Sequence, residues 1–584
     1  MQQFTDPRPV AALAHDLLAL TERSRQRHEE DPFSNPVLTV ALEISRRMDR
    51  RELTDADLQE LVCALRDRAF ADRAARLAAY VGGTDPAETA ASMARLAARL
   101  VRPDPADSPV PLATFRGLVE RPRFAAVFTA HPTFSLPAPV SRALAALASG
   151  HETETSFASH RPSRITLEQE FEQAGAAIEH GRDALDQLTR CILQAARETW
   201  PNRWTEIVPA PVILTTWVGY DTDGRTDISW LDTLRLRLRM KRRQLARVQA
   251  QAASVPDGQE AADLAGAAVA AVDAALAAAP DTPIPERVAA FAHALVDRRE
   301  QALVTPAPLD AKLAEAIARA PESDRMVLAV ARAGLRSHGL SLAHTHVRLN
   351  STQLHNVVRQ RLGLADPPED ASRRRALLGG INAALDTVKP IPVDFGSLLG
   401  EGASAARLMM TVAQITKHID ATTPVRFLIA ETESGYTLLA ALWLAKLFGV
   451  DKNIEISPLF ETAEALEQGA RVLEEALRSP HWRDYLRSTG KLALQFGYSD
   501  SGRYVGPLAA TYLIERLRIK TAEALQRHGL SGVEVVLFDT HGESVGRGAH
   551  PGSLAARLEY LSPPITRRTL ARAGLPVREE SAFQ

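Results

Sequence analysis

The sequence predicts an α/β protein, an incomplete (β/α)8-type barrel of about seven strands embedded in a large, mostly helical chain. Three observations carry this expectation. Seven short apolar runs of strand length, rich in β-branched or aromatic residues, are spread through the chain. Each is followed by sequence whose apolar residues recur at helical spacing. Buried strands alternating with helices build a parallel sheet, and seven such units point to a barrel.

The helical parts come first. Residues 10 to 100 carry apolar residues three and four apart, with many Ala, Leu and Arg, and define an N-terminal helical region over 1–115. The barrel region is expected over 116–584. A helical insertion at about 228–335 interrupts it, broken by turn-rich sequence around Pro256 and from Pro280 to Pro285. No solenoid-type repeat is visible.

The strand runs follow in order: FAAVFTAHP (124–132), PVILTTWVGYD (211–221), LSLAHTHVRLNS (340–351), VRFLIAETES (425–434), IEISPLF (454–460), KLALQFGYSD (491–500) and VEVVLFDTHG (533–542). Most finish on polar or glycine-bearing residues. In a β/α barrel those positions form the C-terminal rim, where catalytic groups gather.

Composition bounds the function. Of 584 residues, 45% are hydrophobic and 24% charged, which excludes a disordered chain. Lys+Arg 69 against Asp+Glu 71 leaves a net charge of -2, with no basic excess for nucleic acid or an anionic membrane. Two cysteines, Cys63 and Cys191, exclude a disulfide scaffold and a Cys-rich zinc site. They fit a reducing cytoplasm, and the start MQQFTDPRPV lacks a secretory pattern. No stretch is expected to cross a membrane. Thr437 to Val450 is short and contains Lys446, and the alanine-rich run Leu264 to Ala279 is broken by Asp273.

The strand ends supply the candidate site. His131, ahead of Pro132 and therefore held extended, is a general acid/base candidate or an anion partner. Asp221 and Asp223, beside Gly219 and Gly224, offer either a hard-cation site or ordinary turn chemistry. His344, His346 and Arg348 fall on one face of a strand. The His-x-His pair suggests zinc but lacks an acidic partner at familiar spacing, while Arg348 offers a cation fork suited to phosphate. Glu461 and Asp500 end consecutive strands, where their carboxylates can converge on one Mg²⁺ or Mn²⁺. Each also has a local alternative, Glu461 as a dipole-favoured helix start and Asp500 as an N-cap. His541, Gly546, Arg547 and Gly548 belong to a glycine loop able to approach a phosphate or carboxylate.

Taken together, FTAHPT, WVGYDTDG, HVRLNS, SPLFET, GYSDSGR and HGESVGRGAHP resemble, in order and approximate spacing, the signature blocks of the phosphoenolpyruvate carboxylase family. The resemblance runs from about residue 120 to 560. It implies carboxylation of phosphoenolpyruvate with bicarbonate to oxaloacetate and phosphate, with Mg²⁺ or Mn²⁺, without biotin, in a tetramer; the cysteine usage adds the expectation of a cytoplasmic location. It also implies metal ligation by Glu461 and Asp500, a role for His131 with carboxyphosphate, and anion binding by Arg348 and Arg547 beside His541, Gly546 and Gly548.

Departures from the family pattern accompany the match. Phe134, Ser135, Leu136 and Pro137 replace an acidic or amide residue and an arginine pair, and Thr222 replaces an arginine. Arg503 stands where a lysine is usual, keeping the charge but not its compact geometry. The glycine loop is two residues shorter, lacks its first arginine and carries Glu543. A catalytically impaired relative that binds anions or regulates is therefore the alternative. Family members also continue well beyond the glycine loop, so Gln584 is expected to end a fragment whose seven-stranded barrel has an open, poorly soluble edge and no activity of its own.

Overall fold

A computed structural model describes residues 10–31, 33–82, 85–129, 137–151, 165–223, 225, 227–368, 370–540 and 552–583. Its centre is the expected α/β barrel. All seven runs contain a strand: β1 (Phe124–Phe128), β2 (Val212–Thr216), β3 (His344–Asn350), β4 (Val425–Ala430), β5 (Ile454–Phe460), β6 (Lys491–Phe496) and β7 (Glu534–Asp539).

The strand count differs from expectation. An eighth parallel strand, β8 (Val577–Phe583), pairs with β7 in the register Val535↔Val577 and with β1 in the register Phe124↔Glu579, and the barrel is closed. No open edge remains between β7 and β1. The N–H of Thr129 donates to the Phe583 carbonyl at 3.0 Å, and that of Glu579 to Arg123 at 3.0 Å. The sequence VREESAF conceals this strand because the barrel takes charges there instead of aliphatic side chains.

Barrel interiors are usually filled by branched apolar residues. Here an apolar layer of Val127, Leu428, Phe538 and Ala582, covered by Trp217, lies toward the C-terminal ends. Nearer the strand starts the interior is ionic. Arg426 of β4 donates to Glu455 of β5 at 2.6 and 2.9 Å and to Glu580 of β8 at 3.1 and 3.3 Å. Arg578 of β8 bonds Glu580 at 3.1 Å, and Lys491 of β6 bonds Glu455 at 2.5 Å. Taking charges from water costs several kcal/mol each, so such a layer persists only where every ion has close partners.

Between β2 and β3 the ladder is short, covering Thr215↔His344 and Thr216↔Thr345. The chain then turns through Gly219, whose φ of +86° favours glycine and where a Cβ would press on the Leu236 side chain. It rejoins β3 at a bridge between Asp221 and Arg348. That detour places Asp221 beside the arginine.

The chain divides into two compact units. One comprises Met1–Asp85, Pro132–Ile165 and Gly552–Leu554; the other comprises Pro86–His131, Thr166–Pro551 and Ala555–Gln584. The division falls near residue 85 instead of 115, because helix Pro86–Val101 buries Ala97 and Val101 in the core of the second unit. In the first unit, Leu13, Leu17, Leu53 and Leu61 form one small core, and Ala74, Val140 and Leu144 another.

One membrane expectation needs correction. Pro256–Ala278 is long and apolar enough to cross a membrane by length and composition. Its alanine face, including Ala261, Ala265, Ala268 and Ala275, is buried in the protein core, as in a core helix.

Candidate active site at the strand ends

Glu461 follows β5 directly. Thr462 takes the N-cap of helix Ala463–Leu477, its side chain accepting from the Ala465 N–H, so Glu461 is not the capping group. Its carboxylate instead accepts the N–H of Glu431, just after β4, at 3.0 Å. Glu431 holds φ at 56°, a left-handed conformation uncommon for a non-glycine residue. On the other side Gly497 abuts Glu461: a Cβ there would lie 2.5 Å from the Glu461 Cβ. The carboxylate is thus positioned by two backbone features of adjacent strand ends.

Burial pushes the Glu461 carboxyl up to about 7; the Glu431 N–H and Arg348 oppose the shift, while Asp500 and Asp223 add to it. Among the described residues, a half-buried carboxyl with two others nearby is short of positive charge.

Asp500 is the third residue of helix Tyr498–Val505, whose N-cap position is held by Gly497, so the alternative N-cap role does not hold. Arg503, one turn on and largely exposed, donates to Asp500 at 2.7 Å. Thr540, after β7, anchors the helix start: its hydroxyl accepts the Tyr498 N–H at 3.1 Å and donates to the Phe496 carbonyl at 2.9 Å.

Arg348 lies inside the barrel mouth, with one edge of its fork engaged by the protein. Nε and Nη2 donate to the two Asp221 oxygens at 2.9 and 2.8 Å, and the guanidinium sits 5.6 Å from the Trp217 ring centre. Burial works against its charge, but Asp221, Asp223 and Glu461 outweigh it and raise its pKa. Thr222 donates its hydroxyl to the Arg348 carbonyl at 2.8 Å.

The histidine pair on β3 lies deeper. His346 packs on Phe538, with Nε2 3.9 Å from Glu580, and burial lowers its pKa to about 3. His344 bonds the Ser337 carbonyl at 3.0 Å, and burial lowers it to about 4. Both are neutral interior residues at pH 7. Among the described residues no group of three or more His, Cys, Asp or Glu is placed to hold a metal by itself.

His131, His541, Gly546, Arg547 and Gly548 lie outside the described residues, as do Phe134, Gly224 and Glu543. The described rim therefore comprises Asp221, Asp223, Arg348, Glu461, Asp500 and Arg503. Sequence reasoning missed Glu431 and Thr540. Glu431 acts through its backbone, which leaves no side-chain signal; Thr540 was visible only as the last polar residue before the glycine loop.

The pattern of the phosphoenolpyruvate carboxylase family matches residues 313–559, which span β3 to β7 and contain Arg348, Glu461, Asp500 and Arg503. A phosphoenolpyruvate carboxylase of Mycobacterium avium is 27% identical over 412 residues, covering 62% of this chain and 42% of that protein. One of Xanthomonas euvesicatoria is 30% identical over 233 residues, covering 38% of this chain and 24% of that protein. The matched stretch is thus less than half the length of either relative. Over these residues the chain is similar to the phosphoenolpyruvate carboxylase family, at 27–30% identity to the relatives compared.

Proposed function

We propose that the rim binds a divalent cation and phosphoenolpyruvate, and that the protein carboxylates this substrate with bicarbonate, yielding oxaloacetate and phosphate. The observation that carries this reading is the half-buried Glu461 carboxyl, whose proton is favoured by Asp500 and Asp223 at the strand ends. The donor set fits Mg²⁺ or Mn²⁺: two hard carboxylates from consecutive strand ends, with the remaining positions for water and substrate oxygens, are the usual provision for Mg²⁺. When bound, the ion would supply charge stabilisation for the phosphate and carboxylate oxygens.

The chain's own residues do the rest. Glu431 and Gly497 orient the Glu461 carboxylate. Asp221 fixes Arg348, so its positive charge is preorganised and needs no reorientation when negative charge spreads during phosphoryl transfer to bicarbonate. Arg503 adds a solvent-side cation next to Asp500.

A second reading is favoured by one observation. Asp221 occupies two donors of Arg348, and Thr222 contributes a hydroxyl but no charge. A site this acidic suits a relative that binds metal and anion without turnover. A malate dehydrogenase-coupled assay with Mg²⁺, phosphoenolpyruvate and bicarbonate decides between them. Oxaloacetate formation that disappears in Asp500→Asn supports the carboxylase. Calorimetric binding of phosphoenolpyruvate without product supports the second reading, and neither binding nor product overturns both.

A further inference from the structure

The helices that follow β3, β4 and β5 start on capping side chains of their own, Asn350, Ser434 and Thr462, each accepting a first-turn N–H. Helix Tyr498–Val505, which follows β6 and carries Asp500, starts differently. Its N-cap is Gly497, which has no side chain to accept with. Glycine is imposed at that position by the site itself. A Cβ on Gly497 would lie 2.5 Å from the Glu461 Cβ and 3.1 Å from its Cα, so any capping side chain would push the Glu461 backbone aside.

The missing cap comes from the neighbouring strand. Thr540, just past the end of β7 and 7% exposed, accepts the Tyr498 N–H on its hydroxyl at 3.1 Å and donates that hydroxyl to the Phe496 carbonyl at 2.9 Å. Its own N–H donates to the same carbonyl at 3.1 Å. Gly497 in turn donates to the Phe460 carbonyl at 2.9 Å. Hydrogen bonds thus link the end of β7 to the end of β6 and the end of β6 to the end of β5. Both carboxylates are attached to these links, Glu461 directly after Phe460 and Asp500 two residues after Tyr498. Valine in place of Thr540 would fill the same volume but leave the Tyr498 N–H without its acceptor. The helix start would then be free to rotate, carrying Asp500 with it.

We propose that Thr540 is a positioning residue for the cation site. It caps, from a neighbouring strand, the helix that presents Asp500, and so fixes that carboxylate relative to Glu461. The inference rests on the reading of the rim as a cation site and adds to it a residue that acts through Asp500.

The test is a Mn²⁺ titration of the whole chain followed by electron paramagnetic resonance, on the wild type, Thr540→Val, Thr540→Ser and Thr166→Ala. The last removes the N-cap hydroxyl of helix Leu167–Thr199, a comparable loss on a helix that carries no rim residue. Thr540→Val should bind Mn²⁺ about tenfold more weakly, as is usual when a group that orients a metal ligand is removed. Thr540→Ser keeps the oxygen and should stay within about threefold of the wild type. Thr166→Ala should bind as the wild type does although its urea midpoint falls. In the Asp500→Asn background Thr540→Val should weaken binding no further, because both changes act through one carboxylate. Four results overturn the proposal and leave the rim reading intact: unchanged affinity in Thr540→Val, equal weakening in Thr540→Ser, equal weakening in Thr166→Ala, or a full additional loss in the Asp500→Asn background. Absence of Mn²⁺ binding by the wild type overturns the rim reading, and this proposal with it.

Discussion

Two charged clusters lie at opposite ends of one barrel, and they are built on opposite principles. Near the strand starts, Arg426, Arg578 and Lys491 face Glu455, Glu580 and Glu534, three cations with three anions. Burial alone would raise the Glu455 carboxyl, yet Lys491, Arg426 and Arg578 hold it well below the usual range. At the strand ends, Glu461 is pushed up to about 7, because burial and neighbouring carboxylates outweigh its one hydrogen bond and Arg348. The lower cluster is balanced in charge and spans β4, β5, β6, β7 and β8, so it serves the fold. Among the described residues the upper cluster is short of positive charge, which is a condition that binding a cation would relieve.

The largest expected effect lies in the lower cluster. Arg426→Ala would strand Glu455 and Glu580 in a region nearly closed to water, costing about 3–5 kcal/mol, read as a fall in the urea midpoint. If the loss is under about 1 kcal/mol, comparable to a surface pair, the lower cluster does not hold the barrel together.

Glu461→Gln should behave in the opposite way. A carboxyl with a folded pKa above its unfolded value favours folding below the unfolded pKa, and this contribution is lost as pH rises through about 7. The neutral isostere should therefore leave stability at pH 8 unchanged or higher, while Mn²⁺ affinity falls by at least about tenfold. Strong destabilisation with intact metal affinity would reverse the roles of the two clusters.

Acidity offers a smaller effect. Since the metal must displace the Glu461 proton, Mn²⁺ affinity should rise with pH up to about 7 and then level, with that rise absent in Glu461→Gln. A rise that persists in the variant would assign the titration to another group. The smallest effect belongs to Arg503→Ala: its exposed pair with Asp500 should change stability by less than about 0.5 kcal/mol by denaturant titration.

The two clusters also explain what could be read from the chain. Seven strands were legible because their outward sides are apolar and helical sequence follows them, and Glu461 and Asp500 because they end consecutive strands. The strand β8 was not, since Arg578 and Glu580 alternate into an ionic interior that no local pattern announces. The engagement of Arg348 was also hidden. It depends on the turn at Gly219 bringing Asp221 back against β3, a pairing more than a hundred residues apart in sequence. The open edge expected after β7 followed from the same missing strand.

The most direct test of the contrast is a Mn²⁺ titration followed by electron paramagnetic resonance, on the wild-type chain and on Glu461→Gln and Asp500→Asn, each with and without phosphoenolpyruvate. One Mn²⁺ per chain is expected, bound more tightly when phosphoenolpyruvate is present and at least about tenfold more weakly in both variants, while their urea midpoints hold. Stoichiometric Mn²⁺ binding of unchanged affinity in both variants would place the cation elsewhere and contradict that expectation.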